Sequence, residues 1–320
     1  MSRFDVCTIG EGQLRYCVDA GTRLETARRL DVYACGTEAN VAGLLSRLGW
    51  RCGWMSSLPN TPLGRRVANE FSLSGLDLSE VAWSDIGRLA TYYVEYAEPP
   101  RSIQVYYDRA GTSFTQLTKA DINWDYLLDS RIVHVSGLTI PLSAGMREII
   151  PEAIRRAKEK HILVSLDVNY RRRIWTIEDA KITLAPLLRE IDILFCSRGD
   201  SSEVFGIKGE PEEVVRKLGD ISDAKFLFTS LSQEGLAGWD REKFVVEPAC
   251  NVKIIDRIGA GDAMVAGVLH GLLHGQFEKA IRYGVTAAAL ALTQYGDQVV
   301  TTRGELEELT ETPGTAGIIR

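Results

Sequence analysis

Short apolar runs alternate with longer amphipathic stretches along most of the chain. The apolar runs predict β-strands at Phe4–Ile9, Cys52–Ser57, Ile132–Ser136, Ile162–Val168, Ile191–Cys196 and Phe226–Thr229. Apolar residues at helical spacing predict helices near Glu38–Leu48, Leu63–Ser74, Ala144–Lys160, Glu178–Leu188, Pro211–Leu218, Ala260–His274 and Phe277–Gln294. Strands that alternate with helices form a parallel sheet covered by helices, so the pattern predicts a doubly wound α/β fold.

Two segments, Gln13–Ala34 and Leu89–Arg109, interrupt this alternation. Both are rich in tyrosine, valine and threonine, alternate partly between apolar and polar residues, and show no convincing helical period. β-Branched and aromatic residues favour strands, so we expect antiparallel strands inserted into the α/β domain. The alternative is a pair of long surface loops, against which the tyrosine content speaks.

Composition and charge narrow the class of protein. The chain has 320 residues, 45% hydrophobic and 25% charged, as is ordinary for a globular protein. A net charge of −6 argues against nucleic acid as a partner, because proteins that bind it usually carry a basic face. Residues 1–10 show no basic segment followed by an apolar one, and no stretch approaches 18 apolar residues. We therefore expect a cytoplasmic protein with no membrane partner, and six scattered cysteines in reduced form.

The strongest chemical signal is the segment Asp256-Arg-Ile-Gly-Ala-Gly-Asp262, which opens an apolar helix. Glycines let backbone N–H groups approach an anion, and the beginning of a helix favours negative charge there. A carboxylate in the first turn can take a proton from a hydroxyl that attacks phosphorus. We therefore predict a phosphate site at Gly259, Ala260 and Gly261, with Asp262 as the base. The alternative is an ordinary strand-to-helix turn in which Asp262 stabilises the first helical turn.

Other phosphate motifs are absent from the sequence. There is no Gly-x-x-x-x-Gly-Lys-Ser/Thr, and no Gly-x-Gly-x-x-Gly follows the first strand. If the protein is a kinase, the late glycine turn must hold the phosphates.

The motif Asp-x-x-Gly-Ala-Gly-Asp near the end of a chain of this length is similar to the signature of the ribokinase-like (PfkB) carbohydrate kinases. In that family the Gly-Ala-Gly backbone forms an anion hole and the last Asp is the catalytic base. The resemblance implies one domain over residues 1–320, a three-layer α/β/α sandwich in which the two inserted segments form a β lid over the sugar. Arg257 stands where the family usually has Thr or Pro.

The resemblance continues at Gly36-Thr-Glu-Ala-Asn-Val-Ala42, which is similar to the family's Gly-Gly-x-x-x-Asn-x-Ala, with Cys35 in place of the first glycine. It implies that the backbone of Gly36 approaches the sugar and that Asn40 bonds a sugar hydroxyl. The alternative for Asn40 is a polar residue at a helix end without a ligand.

Four further segments resemble the 2-keto-3-deoxygluconate kinases. They are Gly10-Glu11, Tyr106–Arg109, Val135–Leu138 and Ser165–Arg171. A planar guanidinium pairs two carboxylate oxygens at once, so Arg109 and Arg171 are the expected contacts to a sugar acid. The alternative for each arginine is a surface charge or a partner for Asp108 or Asp167. The other expected substrate contacts are Glu11, Tyr92, Tyr107 and Asn169.

Two loops that resemble the family's nucleotide site depart from its pattern. Ser197-Arg-Gly-Asp200 stands where Asn-x-x-Glu is common and keeps a carboxylate, so Asp200 is expected to reach magnesium through water. Thr229 to Gly235 stands where a Thr-x-Gly-x-x-Gly-like loop usually meets ATP, with Ser232 in place of one glycine. The expected ATP contacts are Ser197, Thr229, Ser232, Gly235, Gly259 and Gly261.

Together these signals predict an ATP- and magnesium-dependent kinase that phosphorylates a primary hydroxyl, the C6 hydroxyl if the substrate is 2-keto-3-deoxygluconate. The runner-up is another sugar kinase such as a fructokinase, with a nucleoside kinase behind it. A sugar- or nucleotide-binding sensor without turnover is the alternative of another class, and Asp262 speaks against it because a binder needs no base. The sugar epimer and a monovalent cation requirement stay open. The resemblance and the exposed tyrosines also imply a homodimer joined through the two lid segments.

Overall fold

The computed structural model describes residues 2–312. Its strands are β1 (Phe4–Ile9), β2 (Gln13–Val18), β3 (Asp31–Cys35), β4 (Cys52–Pro59), β5 (Val81–Ser84), β6 (Ala90–Glu95), β7 (Gln104–Asp108), β8 (Ser130–Ser136), β9 (Leu163–Asp167), β10 (Ile193–Phe195), β11 (Phe226–Ser230), β12 (Leu236–Trp239) and β13 (Phe244–Glu247). Its α-helices are α1 (Thr37–Arg47), α2 (Pro62–Ser72), α3 (Trp124–Leu128), α4 (Ala144–Glu159), α5 (Ile177–Leu187), α6 (Arg198–Phe205), α7 (Pro211–Asp220), α8 (Ala260–Leu273), α9 (Phe277–Leu292) and α10 (Arg303–Glu311).

The central sheet has the strand order β13-β12-β11-β10-β9-β8-β1-β4-β5. The strands from β11 to β5 pair in parallel, and β12 and β13 add an antiparallel hairpin at one edge. The chain winds from β1 toward β4 on one side and later from β8 toward β11 on the other. This confirms the predicted doubly wound α/β fold, in which ligands bind outside the carboxyl ends of the strands near the reversal of order.

An apolar core lies on each face of this sheet. Successive residues of a strand point to opposite faces, so Val6 packs into one core and Cys7 into the other. Helices α1, α2, α8, α9 and α10 contribute to the core that contains Val6, and α3 to α7 contribute to the core that contains Cys7. The three predicted layers are therefore present.

The predicted strands and helices of the α/β part are all found, with ends shifted by at most two residues. Sequence periodicity missed β5, β12, β13, α3, α6 and α10. Most of these are short, and β5 and β13 are mostly exposed or half-buried, so they carry too few apolar positions for a period to show. Within residues 2–312, no helix combines the length and apolar character needed to cross a membrane. The six cysteines are free thiols.

The two inserted segments form a separate four-stranded sheet with the order β3-β2-β6-β7, which we call the lid. Each segment is an antiparallel hairpin, β2 with β3 and β6 with β7. The expectation of antiparallel pairing throughout is wrong at the centre, where β2 and β6 pair in parallel. Strand β2 follows β1 and β6 follows β5, and β1 and β5 run in the same direction, so both hairpins leave the central sheet with the same polarity.

Candidate active site

A cavity of about 400 Å³ lies between the lid and the carboxyl edge of the central sheet. Its walls come from the lid strands, from the loops after β9 and β10, and from the beginnings of α1 and α8. The predicted site residues that line it are Gly36, Asn40, Tyr92, Tyr107, Arg109, Asn169, Arg171, Ser197, Asp200, Gly259, Gly261 and Asp262. Residues distant in the sequence thus meet at one site.

The turn before α8 has the geometry of an anion site. Gly259 is the N-cap, with a left-handed φ of 88°, and helix α8 begins at Ala260. A Cβ on Gly259 would lie 2.6 Å from the carbonyl oxygen of Asp297, so the position needs glycine. The first intrahelical bond runs from Ala263 N to Gly259 O at 2.9 Å. The N–H groups of the first turn therefore have no intrahelical acceptor and can meet an anion.

Asp262 lies in this first turn and receives a hydrogen bond on each carboxylate oxygen. Thr37 Oγ1 donates to Oδ1 at 2.5 Å, and Asn40 Nδ2 donates to Oδ2 at 2.7 Å. Asn169 Nδ2 donates in turn to Thr37 Oγ1 at 3.1 Å. Burial raises the pKa of Asp262, and the two hydrogen bonds oppose that rise because they favour the charged form. The carboxylate is thereby held in one orientation at the cavity that Asp262 lines.

Thr37 is a site residue that sequence reasoning missed, although it lies inside the Gly36–Ala42 motif. Asn40 was expected to bond a sugar hydroxyl, and in the structure its amide nitrogen serves Asp262. Its Oδ1 is buried and has no hydrogen-bond partner among residues 2–312, so one acceptor of this side chain is left for a ligand.

The two predicted acid-binding arginines differ in their surroundings. Arg109 Nε donates to Glu11 Oε2 at 2.7 Å, and Thr112 Oγ1 donates to the other oxygen of Glu11. Glu11 is buried and lies outside the cavity wall, so its contact with the site runs through Arg109. Asp108 pairs instead with Arg88. Within the described residues only the Nε of Arg109 has a hydrogen bond, so its terminal nitrogens are available to a ligand in the cavity that Arg109 lines.

Arg171 is exposed at the carboxyl edge of β9, where its Nη1 donates to the backbone oxygen of Tyr170 at 2.9 Å. Asp167 and Asp200 line the same cavity. Burial, with the charges of Asp200 and Asp262, raises the pKa of Asp167 to about 8, and Arg171 opposes this shift. Burial also raises the pKa of Asp200 against the same guanidinium. The positive charge of Arg171 thus opposes the rise in pKa of three carboxyl groups, those of Asp167, Asp200 and Asp262.

The predicted nucleotide residues fall into two groups. Ser197 caps α6 by accepting from Asp200 N at 2.9 Å, which directs this serine and this aspartate to the cavity. Thr229 is buried within β11, and Ser232 and Gly235 lie on the turn after it. All three are outside the cavity wall, and Ser230, the last residue of β11, lines the wall in their place. A Cβ on Gly235 would lie 2.0 Å from the carbonyl oxygen of Glu247, so this glycine is required for packing against β13.

A second group of potential metal ligands lies at the other end of α8, where ligand atoms of His270, His274 and Glu307 come within 4.8 Å of one another. Trp50 Nε1 donates to His270 Nδ1 at 2.9 Å. An indole nitrogen only donates, so the neutral His270 ring carries its proton on Nε2 and has no free lone pair for a metal. Arg303 also pairs with Glu307 at 2.8 Å. We assign no metal to this group.

The fold is a doubly wound sheet with a cavity under a lid. At this cavity a helix begins that can bind an anion, and the first turn of that helix carries the carboxylate of Asp262. These features are those of a carbohydrate kinase of the ribokinase-like type. The family model described as pfkB family carbohydrate kinase matches residues 4–303. The chain belongs to the pfkB family of carbohydrate kinases.

The chain is similar along almost its whole length to named kinases. A 2-dehydro-3-deoxygalactonokinase of Haloferax volcanii is 33% identical over 317 residues, 99% of each chain. A 5-dehydro-2-deoxygluconokinase of Bacillus licheniformis is 28% identical, over 96% of this chain and 95% of the relative. The crystal structure of 2-dehydro-3-deoxygluconokinase from Thermotoga maritima superposes with a TM-score of 0.91 at 29% identity, covering 96% of this chain and 99% of that one.

The left-handed turn at Gly259 leads to a prediction about stability. Gly259→Ala places a Cβ against the backbone of Asp297 and should lower the free energy of unfolding by on the order of 1–3 kcal/mol in urea denaturation. Gly261→Ala is the matched control, because a Cβ there meets no atom within 4 Å. Equal losses in the two variants would show that the turn geometry is not what requires glycine.

The raised pKa of Asp167 leads to a prediction about pH. In the unfolded chain this carboxyl ionises near its ordinary value of 3.8, and in the folded protein near 8, so folding loses stability as the pH rises between these values. Asp167→Asn should therefore raise the free energy of unfolding at pH 8 by on the order of 1 kcal/mol or more, with a gain that shrinks toward pH 4. Asp220→Asn, at an exposed residue of α7, should change little. A gain in Asp167→Asn that is the same at both pH values would contradict this cause.

Proposed function

We propose that the protein transfers the γ-phosphoryl group of ATP to a primary hydroxyl of a keto-deoxy sugar acid, with 2-keto-3-deoxygluconate and its C6 hydroxyl as the preferred acceptor. One observation carries the proposal: a single cavity holds Asp262 at the start of α8 and is faced by the guanidinium groups of Arg109 and Arg171. A neutral sugar offers these cations no partner, whereas a carboxylate pairs with both. The names of the relatives support a sugar acid and leave the gluconate and galactonate epimers as alternatives.

The acceptor binds under the lid. Glu11 holds Nε of Arg109, so the other nitrogens of this guanidinium are directed toward the acceptor carboxylate together with Arg171. Tyr92 and Tyr107, with ring centroids 5.8 Å apart, form the apolar side of the pocket. The hydroxyl end of a six-carbon acid, opposite its carboxylate, then reaches the beginning of α8, where Asp262 lies.

Asp262 accepts the proton of the attacking hydroxyl. Each of its oxygens accepts one hydrogen bond from the chain and keeps a second lone pair, so proton transfer needs no rearrangement of Thr37 or Asn40. The first-turn N–H groups of α8 donate to the oxygens of the phosphoryl group as negative charge develops on them. Arg257, which is exposed beside the turn and lines the cavity, adds positive charge on the side of the ATP phosphates.

The chain also offers oxygen ligands that suit magnesium. The carboxylates of Asp167 and Asp200 face the cavity, and magnesium prefers such ligands together with water. When bound with ATP, the ion neutralises phosphate charge. Asp200 would hold it through water, with its orientation fixed by the Ser197 cap. Ser197, on the loop after β10, and Ser230, at the end of β11, face the nucleotide, near Thr229, Ser232 and Gly235.

One observation favours the runner-up, a kinase of a neutral sugar such as fructose. Glu11 already compensates part of the charge of Arg109, so this arginine alone does not demand an anionic substrate. Arg171 has no such direct partner in the described part of the chain, and it is therefore the residue that distinguishes the two acceptors.

The lid is also the proposed contact between two copies of the chain. On its outer side, Tyr16 and Tyr93 stack with centroids 5.4 Å apart, and Tyr106 is half exposed. A shallow hollow beside them is lined by both apolar and polar side chains, namely Leu24, Leu30, Tyr93 and Tyr106 together with Arg23, Glu25, Glu95 and Gln104. Exposed rings and the free edges of a small sheet favour a two-fold contact.

Asp262→Asn tests the role of the base. The amide cannot take a proton, so turnover should fall by about 100-fold or more while the protein folds and binds ATP. Turnover is measured as ADP release at saturating acceptor, and ATP affinity by calorimetry. Asp220→Asn provides the control for loss of one exposed carboxylate. Near-normal turnover in Asp262→Asn would remove Asp262 from the mechanism.

Arg171→Ala and Arg109→Ala test the acid contact. Each should weaken the use of 2-keto-3-deoxygluconate by on the order of 2–3 kcal/mol in apparent transition-state binding, the range of a charge-assisted hydrogen bond, with little change in ATP affinity. Arg172→Ala is the matched control, because Arg172 pairs with Glu203 and lies outside the cavity wall. If both cavity variants use the acid as well as wild type does, the acceptor is not bound through its carboxylate.

Light scattering tests the assembly. We expect twice the chain mass of 35.4 kDa at micromolar concentration. Tyr106→Glu should shift this mass toward the monomer, because it places charge on the proposed contact. A wild-type monomer under these conditions would overturn the lid-to-lid dimer.

A further inference from the structure

Arg15 is a fully buried cation that the proposed mechanism does not use. It lies on β2 of the lid, and none of its side chain is exposed. Its Nη2 donates to Asp256 Oδ2 at 2.7 Å, and its Nη1 lies 3.2 Å from Asp297 Oδ1. The guanidinium carbon stands 4.8 Å from the ring centroid of Tyr33 on the neighbouring lid strand. One lid side chain thus reaches two carboxylates of the α/β part.

Those two carboxylates belong to the backbone that shapes the phosphate-binding turn. Asp256 Oδ1 accepts from Ile258 N at 3.0 Å, and Asp256 Oδ2 accepts from Gly296 N at 3.2 Å. The carbonyl oxygen of Asp297 is the atom that a Cβ on Gly259 would meet at 2.6 Å. A displacement of either carboxylate would therefore change the position of the turn that precedes α8.

Two lid tyrosines complete the same network. Tyr96 donates its hydroxyl to Asp256 Oδ1 at 2.6 Å, and Tyr92 donates to Asp297 Oδ2 at 2.7 Å. Tyr92 also lines the cavity, so this network ends at the acceptor site. Lid strands β2 and β6 are both attached to the turn by buried polar contacts.

Stability alone does not account for this arrangement. Burying charges is costly, and replacing a buried ion pair with apolar residues is often neutral or stabilising. The cost is visible here, since burial raises the pKa of Asp297 to about 6 even though Arg15 opposes the shift. Nε and Nη1 of Arg15 also lack hydrogen bonds of good geometry among the described residues. An apolar contact would join the lid to the α/β part at a lower cost in free energy, but it would not fix the position of the lid relative to the turn before α8.

We infer that Arg15 is a positioning residue, which docks the lid on the phosphate-binding turn so that the acceptor hydroxyl and the anion site meet at a fixed distance. The inference rests on the proposed function, because the acceptor is taken to lie under the lid and the phosphoryl group at the turn. Misplacement of reacting groups by about 1 Å can lower the rate by about 100-fold, so a lid that is not held in place would lower kcat/KM.

The test variant is the double substitution Arg15→Met with Asp297→Asn. It removes both ion pairs between the lid and the turn. Asp256 loses its cation but keeps the hydrogen bonds from Tyr96, Ile258 N and Gly296 N, so the protein should still fold, with a lower melting temperature than wild type. The value of kcat/KM for 2-keto-3-deoxygluconate should fall by about 100-fold. The affinity for ATP, measured by calorimetry without acceptor, should stay within about twofold, since the turn keeps its N–H groups. Arg101→Met, at a lid arginine with a partly exposed ion pair, is the control and should behave as wild type.

Hydrogen exchange gives a readout that needs no acceptor. In the double variant, the amides of β2 and β6 should exchange faster than in wild type, while those of β8 and β9 should not change. This measurement separates the inference from the proposed function. If the wild-type protein phosphorylated no sugar acid, the proposed function would be wrong, but hydrogen exchange in the lid would still show whether Arg15 docks the lid.

A milder variant keeps the inference testable if the double variant does not fold. Tyr96→Phe removes one lid-to-Asp256 hydrogen bond and no charge, and should lower kcat/KM for the acid by about fivefold, the effect of one hydrogen bond, with ATP affinity unchanged. Wild-type kcat/KM and wild-type lid exchange in a folded double variant would overturn the positioning role. So would an equal loss of acid use and ATP affinity, which would mean that Arg15 supports the fold in general.

Discussion

The carboxylate of Asp262 receives one hydrogen bond on each oxygen, from Thr37 and Asn40 of α1. Helices α1 and α8 pack into the same core and begin at the same edge of the sheet, so these bonds join two helix starts that are more than 200 residues apart in sequence. Because α8 is oriented in this way, its free N–H groups and its base face a single cavity. The lid and the two arginines, Arg109 and Arg171, surround a site whose central carboxylate is positioned by helices of the α/β part.

The cavity keeps charges of both signs that the chain does not fully compensate. Asp167 and Asp200 are half-buried and have raised pKa values, and within residues 2–312 Arg171 forms no direct ion pair. Such groups cost stability and are retained where ligands complete them. The ligands proposed for this site, a polyphosphate with its metal ion and a sugar carboxylate, would supply the missing charges. Glu11 is buried behind Arg109 and outside the cavity wall, so it orients this cation without lining the cavity.

Local signals predicted most of the fold and the chemical centre. The strand and helix periods are local, and so is the Gly259 turn, where a left-handed residue precedes an apolar helix. Contacts between distant residues could not be predicted in this way. The Arg15–Asp256 pair spans 241 positions, and the parallel pairing of β2 with β6 depends on how two hairpins meet in space. Thr229, Ser232 and Gly235 were assigned by resemblance, whereas the residue of this segment that lines the cavity is Ser230, at the end of β11.

The most direct measurement is ADP release with ATP and magnesium over a panel of acceptors: 2-keto-3-deoxygluconate, its galactonate epimer, fructose, ribose and adenosine. We expect kcat/KM for at least one keto-deoxy acid to exceed that for every neutral acceptor by about 100-fold or more, because a neutral acceptor offers Arg171 no carboxylate partner. Equal use of fructose would contradict the acid site. Release of no ADP above background with any acceptor would contradict catalysis.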